Sequence, residues 1–418
     1  MARLSAAQLD SIKHMVSRAV STAAITDIHT HIYAPRFGKL LLWGIDELLT
    51  YHYLVAETSR WIPISHEQFW ALPKREQADL VWKTLFLDHS PISEASRGVL
   101  TCLEELGLDV SSRNLDDYRR FFAGQSVEHY VERVFELAKV ESVVMTNDPF
   151  DDDERPVWQE GGASDPRFHA ALRIDMLLNS WDAAYLLLRS WGYKVEKDFS
   201  KGTYAEVSRF LREWIEKMQA VYMAVSLPPT FRFPEESARG KLMRECVLPT
   251  AAVTGKPLAL MIGVKKLTNP KLRLAGDSVG RSSIEVVEGL CAEWPNVKFL
   301  VTMLARENQH ELCVTARKFG NLMIFGCWWF MNNPSLIEEI TRMRLELLGL
   351  SFIPQHSDAR VLDQVIYKWV HSKAILTDVL TDKYTDLALT GWWPKEEEIR
   401  RDANDLLSGN FWRFVSSN

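Results

Sequence analysis

No apolar run in the chain is long enough to cross a bilayer, and the first residues lack the apolar core of a secretory leader. We therefore expect a cytoplasmic protein with no membrane partner. CxxC spacing is missing too: Cys102, Cys246, Cys291, Cys313 and Cys327 are scattered, which fits reduced thiols and argues against cysteine chemistry. Nor is there an excess of basic charge, and a net charge of −6 argues against a nucleic-acid partner. What is present is an ordinary globular composition, 47% hydrophobic and 25% charged over 418 residues, enough for an extensive core.

Against that background one stretch stands out. Thr26-Asp27-Ile28-His29-Thr30-His31-Ile32 alternates as a short buried strand does, and it carries two histidines one residue apart. Residues i and i+2 of a strand share a face, so both imidazoles can aim at one point, as a divalent metal requires. Two histidines satisfied by backbone carbonyls are the plain alternative.

The stretch is preceded by Ser5-Ala-Ala-Gln8 and by Leu9, Ile12, Met15, Val16, Ala19 and Val20, a capping box followed by apolar residues at helical spacing. After the loop at Tyr33 to Arg36, the chain shows helical patterns and no convincing strand up to about Glu141. From there short apolar runs alternate with helix-length amphipathic segments. The runs are Ser142 to Thr146, His169 to Ile174, Val221 to Ser226, Pro257 to Gly263, Val297 to Leu304, Leu322 to Cys327 and Ser351 to Ser357. With the first strand they make eight βα units, which predicts an α/β fold: a (β/α)8 TIM-type barrel with a large all-helical insertion after strand 1. The expected division is 1–32 for the first helix and strand, 33–140 for the insertion, and 141–418 for the rest of the barrel. An open doubly wound sheet is the competing architecture.

The strand ends carry polar groups: Asp148, then Arg173 and Asp175, then Trp328 and Trp329, then Asp358 and Arg360. A barrel gathers these carboxyl ends on one face and makes strands one and eight neighbours, bringing Asp358 toward His29 and His31. Two imidazoles and a carboxylate complete a three-ligand site with room for water or substrate.

These residues resemble the uronate isomerase (glucuronate isomerase) family of the amidohydrolase superfamily. The resemblance runs through His29 to His31, His52-Tyr53, Thr146-Asn-Asp-Pro149, Leu172-Arg-Ile-Asp175, Gly326-Cys-Trp-Trp-Phe330 and Ser357-Asp-Ala-Arg360. It implies a barrel, one divalent ion, commonly zinc, and interconversion of D-glucuronate with D-fructuronate or of D-galacturonate with D-tagaturonate. Such an isomerisation moves a proton from C2 to C1 through an enediol and needs a base, an acid and stabilisation of an oxyanion. We expect the ion on His29, His31 and Asp358, with Asp358, Tyr53 and His52 as catalytic groups. Arg173 and Arg360 are the expected carboxylate clamp, with Arg306 as a weaker third, because guanidinium matches a carboxylate bidentately. Structural ion pairing, for instance with Asp175 or Asp358, is the alternative for these arginines. Trp328 and Trp329 are expected to stack on the sugar or exclude water, although neighbours on a strand face opposite sides and one of the two would then be core.

Two positions depart from the family pattern: Met261 stands where a histidine is often found, and Lys266 where an arginine often follows. A thioether is a poor ligand for a hard site, so one ion held by strands one and eight is expected. The partner is expected to be a small uronate, in a homo-oligomeric protein. A mononuclear metal-dependent hydrolase or decarboxylase of the superfamily is the rival function. A binuclear hydrolase is disfavoured, because strand four (Met223 to Ser226) offers no lysine and strands five and six no histidines.

Overall fold

The computed structural model describes residues 4–416. Its first element, α1 (Ala6–Thr22), starts as its sequence requires: the Ser5 hydroxyl accepts the Gln8 amide, the Gln8 side chain accepts the Ser5 amide, and Ile12, Val16, Ala19 and Val20 are buried. The chain then enters β1 (Ile25–Thr30), all of whose residues are buried. Helices fill the stretch up to Ala138, and Lys139, in a left-handed conformation at φ 59°, turns the chain into β2 (Val140–Asn147). The strands β3 (Phe168–Arg173), β4 (Tyr222–Leu227) and β5 (Leu258–Ile262) follow, each after helical connections. A small antiparallel hairpin, β6 (Val264–Lys265) with β7 (Ser278–Val279), intervenes before β8 (Phe299–Met303) and β9 (Leu322–Ile324).

Seven strands form one parallel sheet in the order β1-β2-β3-β4-β5-β8-β9, with register pairs such as Ser226 to Met261 and Met261 to Thr302. Near-continuous burial along each strand is what a parallel sheet covered on both faces demands. The eighth position is occupied by residues 352–359, and here the structure departs from the expected regular strand over Ser351 to Ser357. That segment pairs with β9 through Ile353 N to Ile324 O (3.0 Å) and Gly326 N to Ile353 O (2.9 Å). It reaches β1 through Asp358 N to His29 O (3.2 Å) and His31 N to Ala359 O (2.7 Å), which closes the barrel. Side chains replace the missing ladder. The buried Asp27 carboxylate accepts the Ser357 amide at 3.0 Å, and Gln355 Oε1 accepts the amides of Cys327 and His356. Pro354 has no amide to offer, and Asp358 lies at φ 52°, so a regular ladder is ruled out there.

Two further helices matter below: α2 (His52–Thr58) in the helical stretch after β1, and α3 (Gln364–Leu389), which follows the closing segment. Among the described residues no helix is long and apolar enough to cross a membrane.

Candidate functional site

Closure of the barrel brings His29, His31 and Asp358 together, with one ligand atom of each within 4.8 Å of the others. Asp358 Oδ1 is 3.3 Å from His31 Nε2 and 3.9 Å from His29 Nε2. The far ring nitrogens are held by second partners. Thr146 donates its hydroxyl proton to the Thr30 carbonyl at 2.9 Å, so its oxygen is left to accept from His31 Nδ1 at 2.8 Å. Tyr222 donates to the Ile28 carbonyl at 2.6 Å and accepts from His29 Nδ1 at 3.3 Å. Both imidazoles are thereby fixed as Nδ1–H tautomers with their Nε2 lone pairs directed at Asp358, the form a metal ligand needs. Burial first, and the neighbouring His31 second, push His29 down to about 3; His31 is lowered by burial and then by the Arg360 and Arg173 charges. Both are neutral at any ordinary pH. Asp358 Oδ1 has no hydrogen-bond partner, and its backbone sits in a region that costs energy for any residue but glycine. Two neutral imidazoles around an unpartnered carboxylate oxygen fit a divalent cation.

These groups line a chamber of about 30 Å3 together with His52, Arg173, Met261, Lys266, Trp328, Trp329 and Arg360. Both tryptophans face it, contrary to the strand rule. The chain has left β9 by Gly326, at φ 64°, and Trp329 opens a short 3-10 turn with φ 48°, so alternation no longer applies. Two other polar atoms in the wall, His52 Nε2 and Trp329 Nε1, are buried without partners. Through Arg173, Ser226, Val264 and Lys266 the chamber adjoins an outer basin of about 500 Å3, which also holds Asp148, Asp175 and Arg239. Arg173 bonds Asp175 through Nε at 2.9 Å, whereas the Arg360 guanidinium forms no ion pair among the described residues. The Asp175 charge and its hydrogen bond hold Arg173 firmly protonated against the effect of burial. Lys266 Nζ bonds Asp277 at 2.8 Å and lies 5.8 Å from the centre of the Trp329 ring.

Tyr53 stands behind His52, with its ring 4.6 Å from the imidazole and edge-on to it, and does not itself line the chamber. Burial, then Tyr51 and the Asp358 charge, raise its phenol well above the ordinary value. Arg306 is elsewhere: it pairs with Glu339 at 2.9 Å and its side chain is 57% exposed. It lies just past β8, where the chain has already turned into the 3-10 helix Arg306–Asn308 and points the guanidinium away from the barrel mouth toward helix Pro334–Leu348. Sequence reasoning missed His356. Two residues before Asp358 and fully buried, it packs edge-on against His29 with ring centres 5.4 Å apart, and neither ring nitrogen has a partner. The alternation that joined His29 to His31 would have joined His356 to Asp358 as well.

A solved structure, a uronate isomerase from Bacillus halodurans, is 60% identical over all of this chain and 98% of that one, with a TM-score of 0.97. A uronate isomerase from Thermotoga maritima (15% identity, 99% and 100% of the two chains, TM-score 0.77) shares the fold. So does a glucuronate isomerase from Caulobacter crescentus (14% identity, 99% and 95%, TM-score 0.76). No family model matches the chain, and no curated protein does.

Proposed function

The chain belongs to the uronate isomerase family, and from that premise we propose how its chamber isomerises a uronate between aldose and ketose. His29, His31 and Asp358 would hold one divalent ion, and this ligand set suits zinc. When bound, the ion polarises a sugar oxygen and stabilises the negative charge that develops on it.

The remaining work belongs to side chains. A chamber of about 30 Å3 is too small for a whole sugar acid, so the substrate extends from it into the adjoining basin of about 500 Å3. Asp358 is the carboxylate of the chamber wall; it accepts the proton that leaves C2 and returns it to C1. Tyr53, kept protonated by burial, is the acid behind the wall: by way of the neutral His52, whose unpartnered Nε2 meets the sugar, it gives a proton to the C1 oxygen and takes back the proton of the C2 hydroxyl. Arg360, which lacks an ion pair, and Arg173 bind the uronate carboxylate. Trp328 and Trp329 cover the sugar and exclude water.

The observation that carries this reading is the convergence of unpartnered polar atoms, Asp358 Oδ1, His52 Nε2 and Trp329 Nε1, on a chamber whose charged groups include Arg173, Lys266 and Arg360. A buried polar group without a partner is costly, and an anionic polyol supplies the partners. The five cysteines are all buried and unpaired, which supports a reducing, cytoplasmic setting. The test is to incubate the zinc-loaded protein with D-glucuronate and follow ketose formation, with D-glucose and a panel of lactones and peptides alongside. Ketose from glucuronate and almost none from glucose is the expected result. Hydrolysis of a panel member without ketose formation would overturn the proposal in favour of a mononuclear hydrolase.

A further inference from the structure

Behind His52, against the ring of Tyr53, lies a charge that the reaction just described does not use. Lys368, in the second turn of α3, is 4% exposed, and no carboxylate among the described residues comes within ion-pair distance of its ammonium. The ammonium instead faces two aromatic rings, 5.6 Å from the centre of Tyr53 and 5.1 Å from that of Tyr367. A lysine is seldom taken this far out of water without a carboxylate beside it, and a tyrosine face returns only part of what hydration supplied.

We propose that Lys368 is a positioning residue for the isomerisation: its ammonium seats the Tyr53 ring and lowers the cost of negative charge on the Tyr53 oxygen as that phenol passes its proton to the substrate by way of His52. This rests on the assignment of Tyr53 as the acid. The physical basis is direct, since a cation against the face of a phenol interacts more favourably with the phenolate than with the phenol, and low polarity around both keeps the interaction strong. The other charged and titratable groups around the ammonium are Asp27 on β1, Asp358 on the closing segment, Glu94 on helix Glu94–Glu105, and the neutral His52 and His356. The three carboxylates favour the charged lysine; burial opposes it more strongly and brings it down to about 8 from 10.5. The ammonium therefore loses its proton within the range in which turnover can be measured.

The experiment compares wild type, Lys368→Met and Lys368→Arg, all zinc-loaded, using D-glucuronate from pH 6 to 10 with melting temperature and metal content as controls. The wild type is expected to lose kcat as pH rises through about 8. Lys368→Met is expected to lower kcat about tenfold or more with KM and metal content little changed, and to abolish that alkaline decline, because no ammonium remains to titrate. Lys368→Arg keeps the charge and is expected to retain most of kcat while moving the decline to higher pH. If Lys368→Met does not fold, the arginine variant decides alone: a displaced alkaline limb supports the proposal and an unchanged one overturns it. Unchanged kcat and pH profile in both variants, or a loss confined to KM, also overturns it. A wild type that does not convert glucuronate at all would instead overturn the isomerase assignment.

Discussion

Two cavities of this molecule make opposite use of charge. The larger, about 680 Å3, lies in the helical stretch after β1 and is walled by Trp43, Asp46, Glu47, Arg75, Asp116 and Arg119, among others. Its charges are spoken for: Arg119 bonds Asp46 at 2.8 Å and Asp79 at 2.7 Å, Arg75 bonds Asp116 at 2.7 Å, and Glu47 takes Lys74 at 2.8 Å. The chamber at the barrel mouth holds about 30 Å3 and leaves Asp358 Oδ1, His52 Nε2 and Trp329 Nε1 buried and unpartnered. Room alone does not make a site. Groups that the fold desolvates and then leaves unsatisfied are the mark of one, because only a ligand repays that cost.

The strongest way to break this contrast is to empty each cavity of its central charges. His29→Ala combined with His31→Ala is expected to remove the metal, as elemental analysis would show, and to abolish turnover by a factor of about a thousand or more. Arg119→Met is expected to cost roughly 1 kcal/mol in urea unfolding, since the Asp46 and Asp79 carboxylates it leaves are partly open to water, while kcat changes less than about twofold in the protein that remains folded. A folded Arg119 variant without activity would show that the helical cavity takes part in the reaction.

Asp358→Asn tests the chamber more finely. It keeps the shape and removes both the base and a charged ligand, and is expected to reduce kcat between about a hundredfold and ten-thousandfold with a nearly unchanged melting temperature. Turnover close to wild type would move the base elsewhere.

The two arginines of the chamber repeat the comparison at the level of side chains. Arg360 is free of ion pairs and Arg173 is held by Asp175, so Arg360→Met is expected to lower kcat/KM for glucuronate by about 2 to 5 kcal/mol in activation terms, and Arg173→Met by less. Equal losses, or the reverse order, would show that Asp175 releases Arg173 to the substrate.

The smallest effect concerns a buried acid behind the site. Glu154 accepts from Tyr33 at 2.6 Å, from Asn147 at 2.9 Å and from the Asp148 amide at 3.1 Å, yet burial raises it from 4.5 to about 7. The folded state therefore binds this proton more tightly than the unfolded chain. The stabilisation is complete below about 4.5 and is lost as pH rises toward 7. Stability of wild type relative to Glu154→Gln is expected to fall across that window, by on the order of 3 kcal/mol at most. A flat difference would mean that Glu154 is ionised throughout.

Much of this was legible in the chain before folding, for reasons that particular residues make plain. The capping box at Ser5, the HxH pair and the run of buried βα units are local patterns: side-chain alternation and helical periodicity are properties of short stretches, and they located the eight barrel positions, though not the irregularity of the eighth, and the residues that gather at the candidate metal site. Trp328 and Trp329 line the chamber, but their common orientation depends on the positive φ of Gly326 and Trp329 where the chain leaves β9, at a position where any side chain on residue 326 would run into His356.

What the sequence by itself determined is therefore the list of parts: which segments run as strands, which strand ends carry imidazole, carboxylate and guanidinium, and that the chain from about 33 to 140 would be helical. The tertiary structure alone decided the rest. It chose an irregular closing segment in which Asp27 and Gln355 supply the bonds a ladder would have made, and it paired Arg173 while leaving Arg360 open. It sent Arg306 to Glu339 on the surface, and it put Lys368 beneath the Tyr53 ring. The reason is one of range. Periodicity and spacing act within a few residues, whereas ion pairing, burial and the loss of water depend on contacts between positions as far apart as Asp27 and Ser357, which exist only once the barrel has closed.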